Sequence, residues 1–324
     1  MRALYAGSPA IAVPVLETLC RTEGIEMAGV LTNPDSPRGR HGTPQPTETG
    51  EAAARICQEF KNQGRAGFPI LKPEKLDTLA REQVGALKPD LLVSFAYGRI
   101  FGPKFLSLFP LGGINIHPSL LPKYRGPTPI QAAILNRDTV TGITIQILAP
   151  EMDSGDILAA EFLHLTGEET AGLLSETAAE KAALMLPGVL KNIAAGTAAR
   201  TEQNHNQASY CRLFAKTDGH IDWKMSALEI EARIRAFNPW PLCRSIHNGR
   251  ELYILKASVF KDKNDHNAAA PGLVLGTDKQ NGILVQTGEG ILAVTELQYQ
   301  GKKALFWRDF LNGARDFTGS LLNE

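Results

Sequence analysis

Over the first 160 residues, short apolar runs alternate with stretches of helical period. ALYAG (3–7) and EMAGVLT (26–32) read as strands, with an amphipathic helix over about residues 10–23 between them. GFPIL (67–71), DLLVSFAY (90–97), GGINIHP (112–118) and TGITIQIL (141–148) continue the series. Apolar runs separated by helices predict an open, mainly parallel sheet covered on both faces. LTNPDSPRGRHGTPQPTETGEAAA (31–54) interrupts the rhythm with Pro, Gly and Arg, and is too long for a minimal connection. A loop of that length is expected to be functional.

Residues 170–195 predict one long helix, kinked near Pro187. GTAARTEQNHNQAS (196–209) is polar and nearly free of large apolar residues, as a linker is. Beyond it the pattern changes. HIDWKMSALEIEARIRAFNPW (220–240) reads as a single helix with a Pro-Trp stop, and strand pairs follow. One pair turns at Asn248-Gly249, a strong hairpin signal, and another around residues 288–290. Short strands with tight turns predict a small β-barrel of the oligonucleotide-binding (OB-like) type. The fold class is therefore α/β: a Rossmann-like open, mainly parallel sheet over 1–195, a linker over 196–209 and an OB-like barrel over 210–324.

Composition narrows this picture. A chain of 324 residues is long for one core and favours two domains. Lys+Arg and Asp+Glu are both 34, so no domain is basic overall and a nucleic-acid partner would need a local patch. Cys20, Cys57, Cys211 and Cys243 are scattered without metal-ligand spacing, so neither a zinc site nor a disulfide framework is expected. The chain has no run of 18 apolar residues and no signal-peptide pattern. A cytoplasmic monomer without membrane contact or metal is the expectation.

Chemistry concentrates in GGINIHPSLLPKYRG (112–126). Alternate strand residues share a face, so Asn115 and His117 point the same way near a strand end, the edge where ligands sit in open parallel sheets. ILAPEMDSGDIL places Asp153 just past the next apolar run. One intervening α-β unit would bring Asp153 to the same edge. An amide, an imidazole and a carboxylate suit acyl or formyl transfer to an amine. The first two donate to a developing oxyanion, and the third takes the proton from the attacking nitrogen. A structural histidine at a strand end, an Asn capping a turn and an Asx-rich turn are the competing readings, and spacing leaves them open.

INIHPSLLPKYRG together with TGITIQILAPEMDSGDIL resembles the folate-dependent formyltransferases. YAGSPAIAVPVLETL, TNPDSPRGR, HIDW, IRAFNPWP, PGLVLG, GILVQTGEGIL and QGKKAL extend the resemblance through nearly the whole chain. It implies Asn115, His117 and Asp153 as the catalytic residues and 10-formyltetrahydrofolate as donor. The folate would lie near Phe95, Ala96, Tyr97, Arg99 and Ile100, bordered by Ser119, Leu120, Leu121 and Pro122. The implied acceptor is the α-amino group of methionine on initiator tRNA, met by Arg38, Arg40 and His41 of the 33–49 loop and by Lys302 and Lys303.

Two departures stand out. The loop has HGTPQPTETG where many family members carry lysines, and Pro118 follows His117 where Gly is common. Each missing cation removes a phosphate contact. Two alternatives remain open. One is formylation of another amine, an amino sugar nucleotide or glycinamide ribonucleotide. The other is a non-catalytic RNA-binding protein, against which the neutral charge and the Asn/His/Asp set both speak.

Overall fold

A computed structural model of the chain describes residues 1–38, 42–261 and 269–323, with the backbone alone at Arg38. It divides into two compact units. The first comprises Met1–Pro129, Val140–His164 and Ser175–Arg212, and the second Ile130–Thr139, Leu165–Leu174 and Leu213–Glu324.

The first unit begins with β1 (Arg2–Gly7), α1 (Val13–Arg21), β2 (Glu26–Leu31), the short β3 (Ser36–Arg38) and β4 (Thr43–Gln45), and α2 (Glu48–Asn62). It continues through β5 (Ile70–Leu71), α3 (Thr78–Ala86), β6 (Leu91–Phe95), α4 (Pro103–Leu106) and β7 (Gly113–His117). After α5 (Pro129–Leu135) come β8 (Val140–Ile147), β9 (Ile157–His164) and α6 (Ala171–Ala194). The seven-stranded sheet runs β5-β2-β1-β6-β7-β8-β9. Its first four pairings are parallel, and β7–β8 and β8–β9 are antiparallel. All five residues of β6 are buried, as both-face coverage requires. Tyr97, Phe101, Phe105 and Phe109 stack in succession at 5.4, 5.4 and 5.7 Å between ring centres and pack into the core with Leu4, Leu31 and Leu92.

The expected parallel order needs correction at β8, which runs opposite to β7. β9 escapes prediction because it is an edge strand with a single buried residue, Leu163, and no clear alternation. The described parts of the 31–54 segment also carry regular structure. β3 pairs antiparallel with β4, and α2 starts within the segment, where the Thr47 side chain accepts from Gly50 N. Residues 196–209 do more than connect: Thr201 bridges Ile157, and Gln203 is 3 % exposed.

The second unit contains α7 (Ala227–Ala236), β10 (Cys243–His247), β11 (Arg250–Phe260), β12 (Val274–Asp278), β13 (Gly282–Gln286), β14 (Ile291–Tyr299), β15 (Leu305–Phe306) and α8 (Trp307–Gly313). Both hairpins form where expected. Asn248 and Gly249 take φ of 49° and 69°, the positive pair that a tight hairpin turn demands. The single helix expected over 220–240 shrinks to α7. Ser226 and Glu229 form a capping box that starts it there. The residues before it pair sideways, with Ile221 N on Arg244 O and Gly288 N on Trp223 O.

The barrel is a correction too. The antiparallel strands run β10-β11-β14-β13-β12 and do not close, since β10 and β12 do not pair. The C-terminal tail meets both edges instead. Gly319 and Ser320 bond Val274 of β12, and Asn323 N donates to Ile246 O of β10. Edge groups bonded to the tail are not available for strand pairing. No helix among the described residues is long and apolar enough to cross a membrane.

Candidate active site

The site lies within the first unit, on one face of β7. Asn115 pairs with Ser94 of β6 and Gln146 of β8, and His117 pairs with Thr144. Directly paired residues share a face, so Asn115, His117 and Gln146 form one polar patch. Because β8 is antiparallel, its last residue, Ile147, lies beside Ile114 at the start of β7. Two parallel strands ending at one edge therefore do not bring Asp153 to the histidine, as the strand pattern suggested. The β8–β9 hairpin folds back over the sheet face and delivers it. Ile147 N bonds Asp156 O to close that hairpin, and Asp153 adopts a φ of 53°, which Asp tolerates better than most residues. Gly155 is sterically required: a Cβ there would sit 1.9 Å from Ile147 O.

Both carboxylate oxygens of Asp153 face nitrogen. Oδ1 accepts from Gln146 Nε2 at 3.0 Å and lies 3.5 Å from Asn115 Nδ2. Oδ2 accepts from Gly126 N at 2.8 Å and lies 3.6 Å from His117 Nδ1. The imidazole, 4 % exposed, has its Nε2 2.8 Å from Tyr124 O. A carbonyl only accepts, so Nε2 carries a hydrogen and Nδ1 is the ring atom turned toward the carboxylate. This narrows what His117 can offer a reacting oxygen to its Nδ1 side. Asn115 is partly exposed and its contact with Asp153 is long, so its amide remains available to a substrate.

The SLLP loop is pinned to β8 through Thr144, whose Oγ1 donates to Ser119 O at 2.7 Å and accepts from Leu121 N at 3.1 Å. Ser119 is fully buried, with its hydroxyl on Lys123 O. Leu121 is buried, and Leu120 and Pro122 are half-buried. Phe95 and Tyr97 place their rings in the core, whereas Ala96 and Ile100 are exposed, and Arg99 donates to Pro73 O at 2.8 Å. Lys302 and Lys303 are exposed in the turn after β14, in the second unit. Arg40 and His41 lie outside the described residues, as does the Arg38 side chain. Among the described residues no group of three His, Cys, Asp or Glu side chains is arranged to hold a metal.

Three contributors went unread in the sequence. Gln146 had a signal: with Thr144 it is a polar residue at period two in an otherwise apolar strand. Gly126 acts through its backbone N–H, which no side chain announces; its φ of 116° and the 2.4 Å that would separate a Cβ from Cys211 O are what call for glycine there. Gln203 lies 50 residues beyond Asp153 and bonds its backbone, and nothing local marks it.

The comparisons with known proteins agree with this chemistry. The family model for formyl transferase matches residues 3–190, and that for the formyl transferase C-terminal domain matches 214–315. Methionyl-tRNA formyltransferase of Treponema denticola is 47% identical over 319 residues, covering 98% of both chains. The protein of the same name from Borrelia hermsii is 39% identical over the full length of both. Among solved structures, an N-formyltransferase from Helicobacter canadensis, in complex with folinic acid and dTDP-3-aminofucose, has a TM-score of 0.61 at 20% identity, covering 90% of this chain and 97% of that one. HypX from Aquifex aeolicus in complex with tetrahydrofolic acid has a TM-score of 0.60 at 16% identity. It aligns with 98% of this chain, which spans about half of it (48%). These two likenesses speak for the fold alone. With both domain models matched and end-to-end similarity to its relatives, the chain belongs to the formyltransferase family, in its methionyl-tRNA formyltransferase branch.

Proposed function

We propose that the chain transfers the formyl group of 10-formyltetrahydrofolate to the α-amino group of methionine esterified to initiator tRNA, as a cytoplasmic monomer serving translation initiation. End-to-end identity of 47% to a methionyl-tRNA formyltransferase supports the acceptor. The single observation that carries the chemistry is Asp153 between His117 Nδ1 and two side-chain amides, on a face where Asn115 stays partly exposed.

The roles follow from that geometry. Asp153 takes a proton from the incoming ammonium, directly or through one water. Asn115 Nδ2 turns from its long contact with Asp153 to donate to the oxygen of the formyl carbonyl as negative charge develops there. His117, fixed by Tyr124 O, presents Nδ1 to the same region. The folate fits a segment whose backbone is displayed: Ala96 and Gly98 take φ of 52° and 81°, and Asn33 Oδ1 and Tyr97 Oη are buried without a hydrogen-bond partner among the described residues. A heterocycle rich in donors and acceptors suits such groups. Its role is to bring the formyl carbon. Arg38, Arg40, His41, Lys302 and Lys303 supply the cations for the tRNA backbone.

The decisive assay gives purified protein labelled 10-formyltetrahydrofolate with charged initiator tRNA, uncharged tRNA, free methionine or an amino sugar nucleotide. Label is expected on the charged tRNA alone. Transfer to the sugar nucleotide instead would overturn the acceptor assignment.

A further inference from the structure

Arg125 is 2 % exposed, and among the described residues no carboxylate bonds its guanidinium. Its Nε and Nη2 donate to Gln203 Oε1 at 3.2 and 2.7 Å. Nη2 also lies 3.0 Å from His205 Nδ1, and Nη1 lies 3.3 Å from the Tyr210 hydroxyl. A buried cation without an ion partner is costly to maintain. Packing alone would be served by an apolar side chain.

The amide of Gln203 passes this interaction on. Its Nε2 donates to Gly155 O at 2.7 Å, Asp153 O at 2.9 Å and Gln146 Oε1 at 3.2 Å. The orientation is forced. A flipped amide would set its hydrogens against the guanidinium and its oxygen against three acceptors. With Gln146 Oε1 accepting, Gln146 Nε2 is left to donate to Asp153 Oδ1 at 3.0 Å. Every hydrogen in the series thus points from Arg125 toward Asp153. The other carboxylate oxygen is met by the next peptide of the same segment, through Gly126 N at 2.8 Å. Arg125 is itself clamped, its N on Ser209 O and its O receiving Cys211 N, both at 2.8 Å.

We propose that Arg125 and Gln203 are positioning residues for formyl transfer. Acting through Gln146, the guanidinium holds the Asp153 carboxylate and the 153–155 backbone in the geometry that accepts the acceptor's proton. Bonds that involve a charged group are the strong ones, and amides in series polarise one another. The proposal rests on Asp153 being the base.

Gln203→Glu is the discriminating variant. It keeps the volume and gives Arg125 a better acceptor, so a role limited to satisfying the buried arginine predicts an unimpaired enzyme. The relay predicts the reverse, because the two N–H donors vanish and a carboxylate faces three acceptors. The expected result is a kcat lower by about 10-fold or more, the scale of losing a hydrogen bond to a charged group, with both KM values nearly unchanged. The acid limb of the pH–rate profile should move to higher pH. Arg125→Lys is the second variant, checked for folding by circular dichroism. It keeps the charge but cannot place two N–H groups on one oxygen, so kcat is expected to fall with KM unchanged. Wild-type kcat and pH dependence in either folded variant overturn the relay. Asp153→Asn separates the two ideas. Full activity there removes the base assignment, whereas an inactive Asp153→Asn beside wild-type relay variants removes the relay alone.

Discussion

Gln146 stands directly opposite Asn115 in the antiparallel β7–β8 pair, and both amides are directed at Oδ1 of Asp153. The two contacts differ in tightness, 3.0 Å for Gln146 and 3.5 Å for Asn115, and this divides the labour. Gln146 holds the carboxylate, and Asn115 is free to leave it for the substrate.

That division predicts different kinetics for the two amides. Asn115→Ala should lower kcat by about 10²–10³, the scale of losing one oxyanion donor. Gln146→Leu should cost about 10-fold to 100-fold, the worth of a hydrogen bond to a charged group. Steady-state rates of formyl transfer to charged tRNA measure both. Equal losses in the two variants would contradict the division.

Asp153→Asn preserves size and removes the base. Turnover is expected to fall by about 10²–10⁴, the usual contribution of general base catalysis. Folate binding, followed by fluorescence quenching, should persist.

Two glycines give a paired stability test. Gly155→Ala places a methyl 1.9 Å from Ile147 O, so the hairpin carrying Asp153 must open. A loss of about 2 kcal/mol or more, the range of overpacking and backbone strain, is expected together with activity. Gly188→Ala, in α6 where an added Cβ meets no other described residue within 4 Å beyond its own helix backbone, should instead stabilise by about 0.5–1 kcal/mol through helix propensity. Chemical denaturation distinguishes the two signs.

His247 links stability to pH. Its ring is 2 % exposed, with Nδ1 2.6 Å from the Tyr299 hydroxyl, and burial holds its pKa below the usual 6.5. Arg250 lowers it further, and Asp316 pulls the other way. Below pH 6.5 the unfolded chain takes up a proton that the folded one resists, so stability falls as pH drops through that value. Thermal midpoints should decline from pH 7.5 toward pH 5.5 at about the slope of one proton. His247→Gln should flatten that decline, and an unchanged slope would assign it to other groups.

The cations proposed for tRNA are testable without a bound structure. Arg40→Ala should raise the KM for charged tRNA and leave the folate KM unchanged. Each lost phosphate contact should reduce the slope of log K against log salt by about 0.7–0.9. The same measurement on Lys302→Ala tests whether the turn after β14 contributes.

Local pattern by itself determined a good deal. Apolar runs located β1, β2, β6, β7 and β8, period two set Asn115 and His117 on one face, and Asn248-Gly249 announced its hairpin. Each of these depends on neighbours a few residues away. Strand direction does not, because the same apolar run serves a parallel or an antiparallel pairing. Only the tertiary structure decided that β8 reverses, and that reversal brings Asp153 across the sheet face and Gln146 opposite Asn115. The hold on Asp153 by Gln203, and the tail that covers both edges of the second sheet, were likewise decided in three dimensions. Such contacts join segments far apart in sequence, and a hydrogen-bond donor carries no local signature of the acceptor it will meet.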